Sequence, residues 1–160
     1  MHKIFIICLL SSFISCQYSN RVTTTNTLED VVKSKGSSIV LISISDNVQI
    51  NWDNKSNGFV EDSLLDIAMK VAKTDRQLIL DEVLNRDESE ARICGLNGNL
   101  AVGDLAFLLI SKTYDLPYFQ VFEIQWDTFD AGCAYPSGML EYIQNHRSEM
   151  KEKMEMYFSN

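Results

Sequence analysis

The sequence predicts a mainly helical α+β protein: one compact domain of about five helices with a small β element near its start. Three observations carry this. Apolar residues recur at three- and four-residue steps from Val60 to Ala72 and again from Leu140 to Tyr157, the period of an amphipathic helix. Residues 102–110 are apolar on nearly every side, as in a helix at the centre of a core. Residues 38–45 are instead rich in β-branched side chains; Asp46-Asn47 follows as a turn, and residues 48–52 alternate apolar and polar, so the three together read as a hairpin. A helix through 38–45 is the competing reading, because that run is apolar on all sides.

The chain opens on Met1-His2-Lys3, a basic lead, followed by the apolar run Ile4 to Leu10, then Ser11-Ser12 and Phe13-Ile14-Ser15-Cys16. A membrane-spanning helix needs about 20 apolar residues, and this run is too short. A basic lead, a short apolar core and a small residue before the cut describe a secretory signal over residues 1–15. A buried N-terminal strand is the structural alternative, although no turn or pairing signal follows it. Phe13-Ile14-Ser15-Cys16 resembles the lipobox of bacterial lipoproteins, with Phe13 where that family usually carries Leu. The resemblance implies that the chain is cut before Cys16, that its sulfur is lipidated and that its new amine is acylated. Cys8 does not fit, because Ile7 precedes it where a small residue is needed. Cleavage by an ordinary signal peptidase is the other reading. Each buried methylene contributes about 0.8 kcal/mol and one chain anchors only marginally, so two or three acyl chains, palmitate among them, tether a domain to a bilayer it does not cross. In enteric bacteria an Asp after the lipidated Cys holds lipoproteins in the inner membrane. Gln17 stands there here, which by the same resemblance implies the outer membrane, facing the periplasm.

Residues 16–26 are polar and rich in hydroxyls, a flexible tether, and residues 27–160 form the folded domain. A short helix is expected over 27–33, stopped at Gly36. After the hairpin, residues 53–58 make a loop. Val60, Leu64, Ile67, Ala68, Val71 and Ala72 then share one helical stripe, and a second helix over about 75–85 carries Leu78, Ile79, Val83 and Leu84. The charged residues 85–92 lead to Asn97-Gly98, a turn signal. Asp104 can cap the start of the central helix, and Pro117 ends it. Residues 118–126 are aromatic and partly alternating, an extended segment or a short turn of helix. A long amphipathic helix runs from Pro136-Ser137 to the C-terminus, with Leu140, Ile143, Met150, Met154 and Tyr157 on its stripe and Arg147 filling the one gap. Val102 to Ala106 and Asp115 to Phe119 resemble segments of small helical bacterial proteins without an assigned activity. The resemblance spans residues 100–145 and implies a fold tendency alone.

The chain carries 22 acidic against 14 Lys and Arg residues, a net charge of −8, and loss of Lys3 with the signal makes it −9. Such a surface repels nucleic acid and anionic headgroups. With Cys8 cut away and Cys16 lipidated, Cys94 and Cys133 remain. In an oxidising compartment they can pair, closing a loop of about 39 residues that the chain-entropy model values at about 4 kcal/mol. Two separately buried thiols are the alternative.

Candidate chemistry is sparse. Asp53 to Gly58 imitates the opening of a calcium loop, but Lys55 and Leu64 stand where oxygen ligands belong, so a polar turn is expected. Glu123, Asp127 and Asp130 place three carboxylates close in sequence, able to serve as acid and base if they converge. His146 has no spacing that demands a pair with Cys133. No zinc site, phosphate loop or serine elbow is spelled out, and no cofactor is expected. Asp62-Ser63-Leu64 resembles an O-glycosylation acceptor of some Bacteroidetes, but three residues match by chance often and a helix opening is the favoured reading. Tyr118, Phe119, Phe122, Trp126, Phe129 and Tyr135 crowd into one stretch. They either pack on the central helix or expose a surface for a protein or glycan, with Tyr118, Phe119, Phe122 and Trp126 at its centre. The expectation is a lipid-anchored protein of the bacterial envelope that binds another protein without catalysis, an interbacterial immunity lipoprotein being one instance. A hydrolase using Glu123, Asp127 or Asp130 is the alternative, and a purely structural envelope component is a third reading.

Overall fold

Val40, Ile42 and Ile44 alternate with Leu41 and Ser43, and that period of two sets the first strand's inward face. A computed structural model describes residues 37–126, 128–130, 132–136 and 138–160. The signal over 1–15, Cys16, the tether over 16–26, the helix expected over 27–33 and Asp127 lie outside the described residues. Strand β1 (Ile39–Ser45) pairs antiparallel with β2 (Val48–Asp53) through the Asp46-Asn47 turn, with Val40 opposite Trp52 and Ile42 opposite Ile50. A short β3 (Gly58–Phe59) adds to the far side of β2, giving the order β1-β2-β3. Ile42, Ile44, Val48, Ile50 and Trp52 are all buried beneath this sheet.

Helix α1 (Ser63–Thr74) packs on β2. Asp62 caps it by accepting from the Leu64 and Leu65 N–H groups at 2.9 and 3.1 Å, and also receives the Asn51 amide at 2.8 Å. The buried face is Leu65, Ala68 and Ala72, one position away from the expected Leu64 and Ile67; Ile67 is 54% exposed. Asp75 caps the short α2 (Arg76–Glu82), which with Val83 buries Ile79 and Leu80. A second sheet follows, β4 (Glu88–Arg92) antiparallel to β5 (Asn99–Ala101). The polar sequence Glu-Ser-Glu-Ala-Arg hides β4; only Ala91 on it is buried.

Helix α3 (Val102–Tyr114) is the centre of the molecule, buried without interruption from Val102 to Ser111. It stops two residues before Pro117: Asp115 turns left-handed (φ 48°), and the Leu116 N–H returns to the Ser111 carbonyl. Helix α4 (Tyr118–Phe122) is the short helical option for the aromatic stretch, ended by left-handed Glu123. The expected long last helix is two, α5 (Met139–Asn145) and α6 (Arg147–Ser159), broken at His146. The inward stripe runs on across the break through Arg147, Met150 and Met154 with Phe158 packed behind them, while Tyr157 stays 40% exposed.

The described residues therefore form six helices and two small sheets around one continuous apolar cluster, a mixed α+β arrangement with more β structure than the sequence suggests. None of these helices is long and apolar enough to cross a membrane.

Candidate functional site

Three constructions gather the polar and aromatic side chains, and two of them are structural. The first is a buried ion pair. Arg147, 5% exposed, donates to Asp104 Oδ1 at 2.6 Å and to the Val83 carbonyl at 3.0 Å; Asp104 is fully buried. The other carboxylate oxygen accepts from the Ala101 N–H and the Gln144 amide, both at 2.8 Å. Asp104 thus sits in the third position of α3 and reaches back to cap it, rather than occupying the cap position itself. The two charges are matched and both carboxylate oxygens accept hydrogen bonds, which makes burial tolerable. Gly103 is the residue that lets the arrangement close, since a Cβ there would strike the Val83 carbonyl and lie 2.5 Å from both the Asn85 carbonyl and Arg147 Nη1.

The second construction stitches the two sheets together. Asn54 behaves as a surrogate strand residue: its Nδ2 donates to the Glu90 carbonyl at 3.2 Å and its Oδ1 accepts from the Arg92 N–H at 2.6 Å. Asn57 Oδ1 accepts from the Cys94 N–H at 2.9 Å, and the Trp52 indole donates to the Arg92 carbonyl at 3.0 Å. Asp53 takes the Lys55 N–H at 2.9 Å. The loop that imitates a calcium site therefore spends these oxygens on its own backbone and on β4. Beside it, Cys94 and Cys133 are joined as a disulfide, with sulfurs 2.06 Å and Cα atoms 5.7 Å apart. Cys133 is therefore no thiol nucleophile for His146, which stacks on Tyr142 (centroids 4.0 Å) at the helix break, not in the middle of a helix.

The third construction is the aromatic face. Phe107, Tyr118 and Phe122 lie within 6.2 Å of one another, Trp126 meets Tyr118 edge-on at 5.4 Å, and Tyr142 follows at 6.0 Å. Phe122 is 1% exposed and belongs to the core, so it cannot be part of a contact surface; Tyr118 and Trp126 are half-buried. Phe119 and Phe129 are the exceptions, 65% and 56% exposed. Phe119 projects from α4 while Val121 and Phe122 of the same helix are buried.

Where this face approaches β3 there is an open cleft of about 370 Å³. Phe59, Tyr118 and Tyr135 wall it, Leu108 and Leu116 line its apolar side, and Ser111 and Asp115 contribute polar groups. Lys112 and Glu61 pair across its rim at 2.7 Å, both largely solvated. Burial pushes both tyrosine hydroxyls above their ordinary range; the Asp115 charge raises Tyr118 further, against the Ser111 hydroxyl, which acts in the opposite direction. Ser111 Oγ is shielded from solvent, and the Tyr118 hydroxyl is the group it interacts with.

Of the carboxylates expected to act together, Glu123 ends α4 near Lys153, whose ammonium donates to the Phe122 carbonyl at 3.2 Å. Asp130 lies against Gly95 beside the disulfide. Asp127 is outside the described residues. Among the described residues no three His, Cys, Asp or Glu side chains are grouped to hold a metal ion. Sequence reasoning missed the cleft, because Phe59, Ser111 and Tyr135 are far apart in the chain. It had marked Arg147 only as a gap in an apolar stripe. No family model matches the chain, and no curated protein or solved structure is significantly similar to it.

Proposed function

We propose that this protein is a lipid-anchored module of the bacterial envelope that binds another protein without catalysing a reaction. The observation that carries the reading is Phe119. A large apolar ring left in water on a helix whose opposite face is locked into the core is the form of an interface anchor, and aromatic side chains are the usual centres of such contacts. The net charge of −8 favours a basic partner and speeds its arrival. An immunity-type lipoprotein, held by acyl chains on Cys16 and facing the periplasm from the outer membrane, is one instance.

The test uses the full chain expressed in its own envelope. Partners are captured by reversible cross-linking from wild type, from Phe119→Ser and from Ile67→Ser, which removes an equally exposed apolar side chain from α1. A partner retained by Ile67→Ser and lost by Phe119→Ser supports the reading. A partner lost equally from both, or from neither, contradicts it. Labelling with radioactive palmitate reads the anchor separately: label in wild type and none in Cys16→Ala is the expected result.

A further inference from the structure

We infer that the cleft between β3 and the end of α3 receives the guanidinium of an arginine side chain presented by a protein partner. The inference deepens the binding reading, naming the chemistry the partner brings, and it stands on three features of the cleft.

The walls are aromatic. Phe59, Tyr118 and Tyr135 line the cleft, and a planar cation is a guest that aromatic surfaces favour. The end of a long helix adds direction. The cleft takes in Ser111, Lys112 and Asp115, the last turn and cap of α3, where the carbonyl ends of the aligned peptides favour a positive charge. Asp115 supplies a full charge. It is exposed and makes no ion pair within 4 Å among the described residues, whereas Glu61 already holds Lys112. Its influence on the Tyr118 hydroxyl places the carboxylate's field across the cleft. The cleft volume of about 370 Å³ is large enough for an arginine side chain.

A small cleft lined only by rings would take any apolar residue. One lined only by carboxylates would take any cation. The combination selects a flat cation over both, and arginine over lysine, since an ammonium is a compact, strongly hydrated point charge.

Asp115→Asn is the discriminating substitution. Asp115 holds φ 48° and ψ 55°, a conformation that Asn tolerates well, so the charge is removed while the turn is kept. The isolated full chain, labelled with nitrogen-15, is titrated with N-acetyl-arginine methylamide and with its lysine and norleucine counterparts. The expected result is saturable amide shifts confined to the segments around Ser111, Asp115, Tyr118 and Tyr135, strongest for the arginine compound. Binding should weaken about threefold to fivefold in Asp115→Asn, as befits one solvated charge contact. The Asp115→Asn spectrum without ligand, overlaying wild type away from the cleft, excludes misfolding as the cause of the loss. Equal shifts from norleucine, shifts scattered over other acidic residues, or undiminished affinity in Asp115→Asn would each overturn the inference. Free arginine binding about tenfold tighter than the capped form would overturn the partner side chain as the source, in favour of a small molecule. The titration needs no partner, so its failure leaves the Phe119 reading standing, and failure of the cross-linking leaves the cleft result intact.

Discussion

Arg147 occupies an apolar stripe and is nonetheless buried, because Asp104 waits for it at the start of α3. Replacing it with Met preserves volume and strands a carboxylate inside the core. Breaking one half of a buried pair costs about 3–5 kcal/mol, so Arg147→Met is expected to shift the urea midpoint downward by that equivalent. Gly103→Ala is expected to cost about 1–3 kcal/mol by overpacking, since the groups a methyl would meet include the Val83 and Asn85 carbonyls, which move only with the backbone. Asp53 gives the pH dependence at this scale. Its carboxyl falls from 3.8 to about 2, chiefly through the Ser38 hydroxyl and then the Lys55 N–H. A depressed acid stabilises the fold above its ordinary value and loses that contribution as pH falls through the folded one. The difference in melting temperature between wild type and Asp53→Asn should therefore be constant above pH 3.8 and shrink on approach to about pH 2. A carbon-detected titration of the Asp53 carboxyl reads the same midpoint directly. The sequence reveals Arg147 only as an anomaly in a period; its partner is 43 residues away, and nothing local could name it.

The first hairpin and α3 could be read from the sequence because each buries one face with a single period, two for the strands and nearly all-round burial for the helix. Strand β4 escaped notice because its ladder is completed by Asn54, a side chain from another sheet, instead of by its own apolar alternation. Likewise, the bend at His146 leaves the sum of apolar spacings almost unchanged, so one helix and two look alike in the sequence. Spacing also fails to say whether Cys94 and Cys133 meet; the contact depends on the Asn57 and Trp52 bonds that bring the turn at Cys94 and the end of β4 against the hairpin. The bond that closes this 39-residue separation is expected to contribute up to about 4 kcal/mol, less where the open chain retains structure. In the double variant Cys94→Ser, Cys133→Ser the loss should be read by denaturation, and amide exchange should accelerate first around residues 93–99 and 128–136.

At the level of the whole molecule, composition and period show a mixed α+β class, but the second sheet, β4 with β5, is not visible in them. The aromatic crowding was visible too, but a count of rings cannot divide them. Phe122 turned inward and Phe119 outward on the same five-residue helix because α3 and α6 cover only one side of it. The acidic composition, the exposed ring and the cleft with Asp115, which makes no ion pair among the described residues, are the features on which the proposed binding of a basic partner rests. The most direct measurement is photo-cross-linking in the living envelope from a photoreactive phenylalanine at position 119, with position 67 as the comparison. A discrete adduct from 119 and none from 67 is the predicted result. Indistinguishable smears from both positions, or an adduct from 67 alone, would contradict the account.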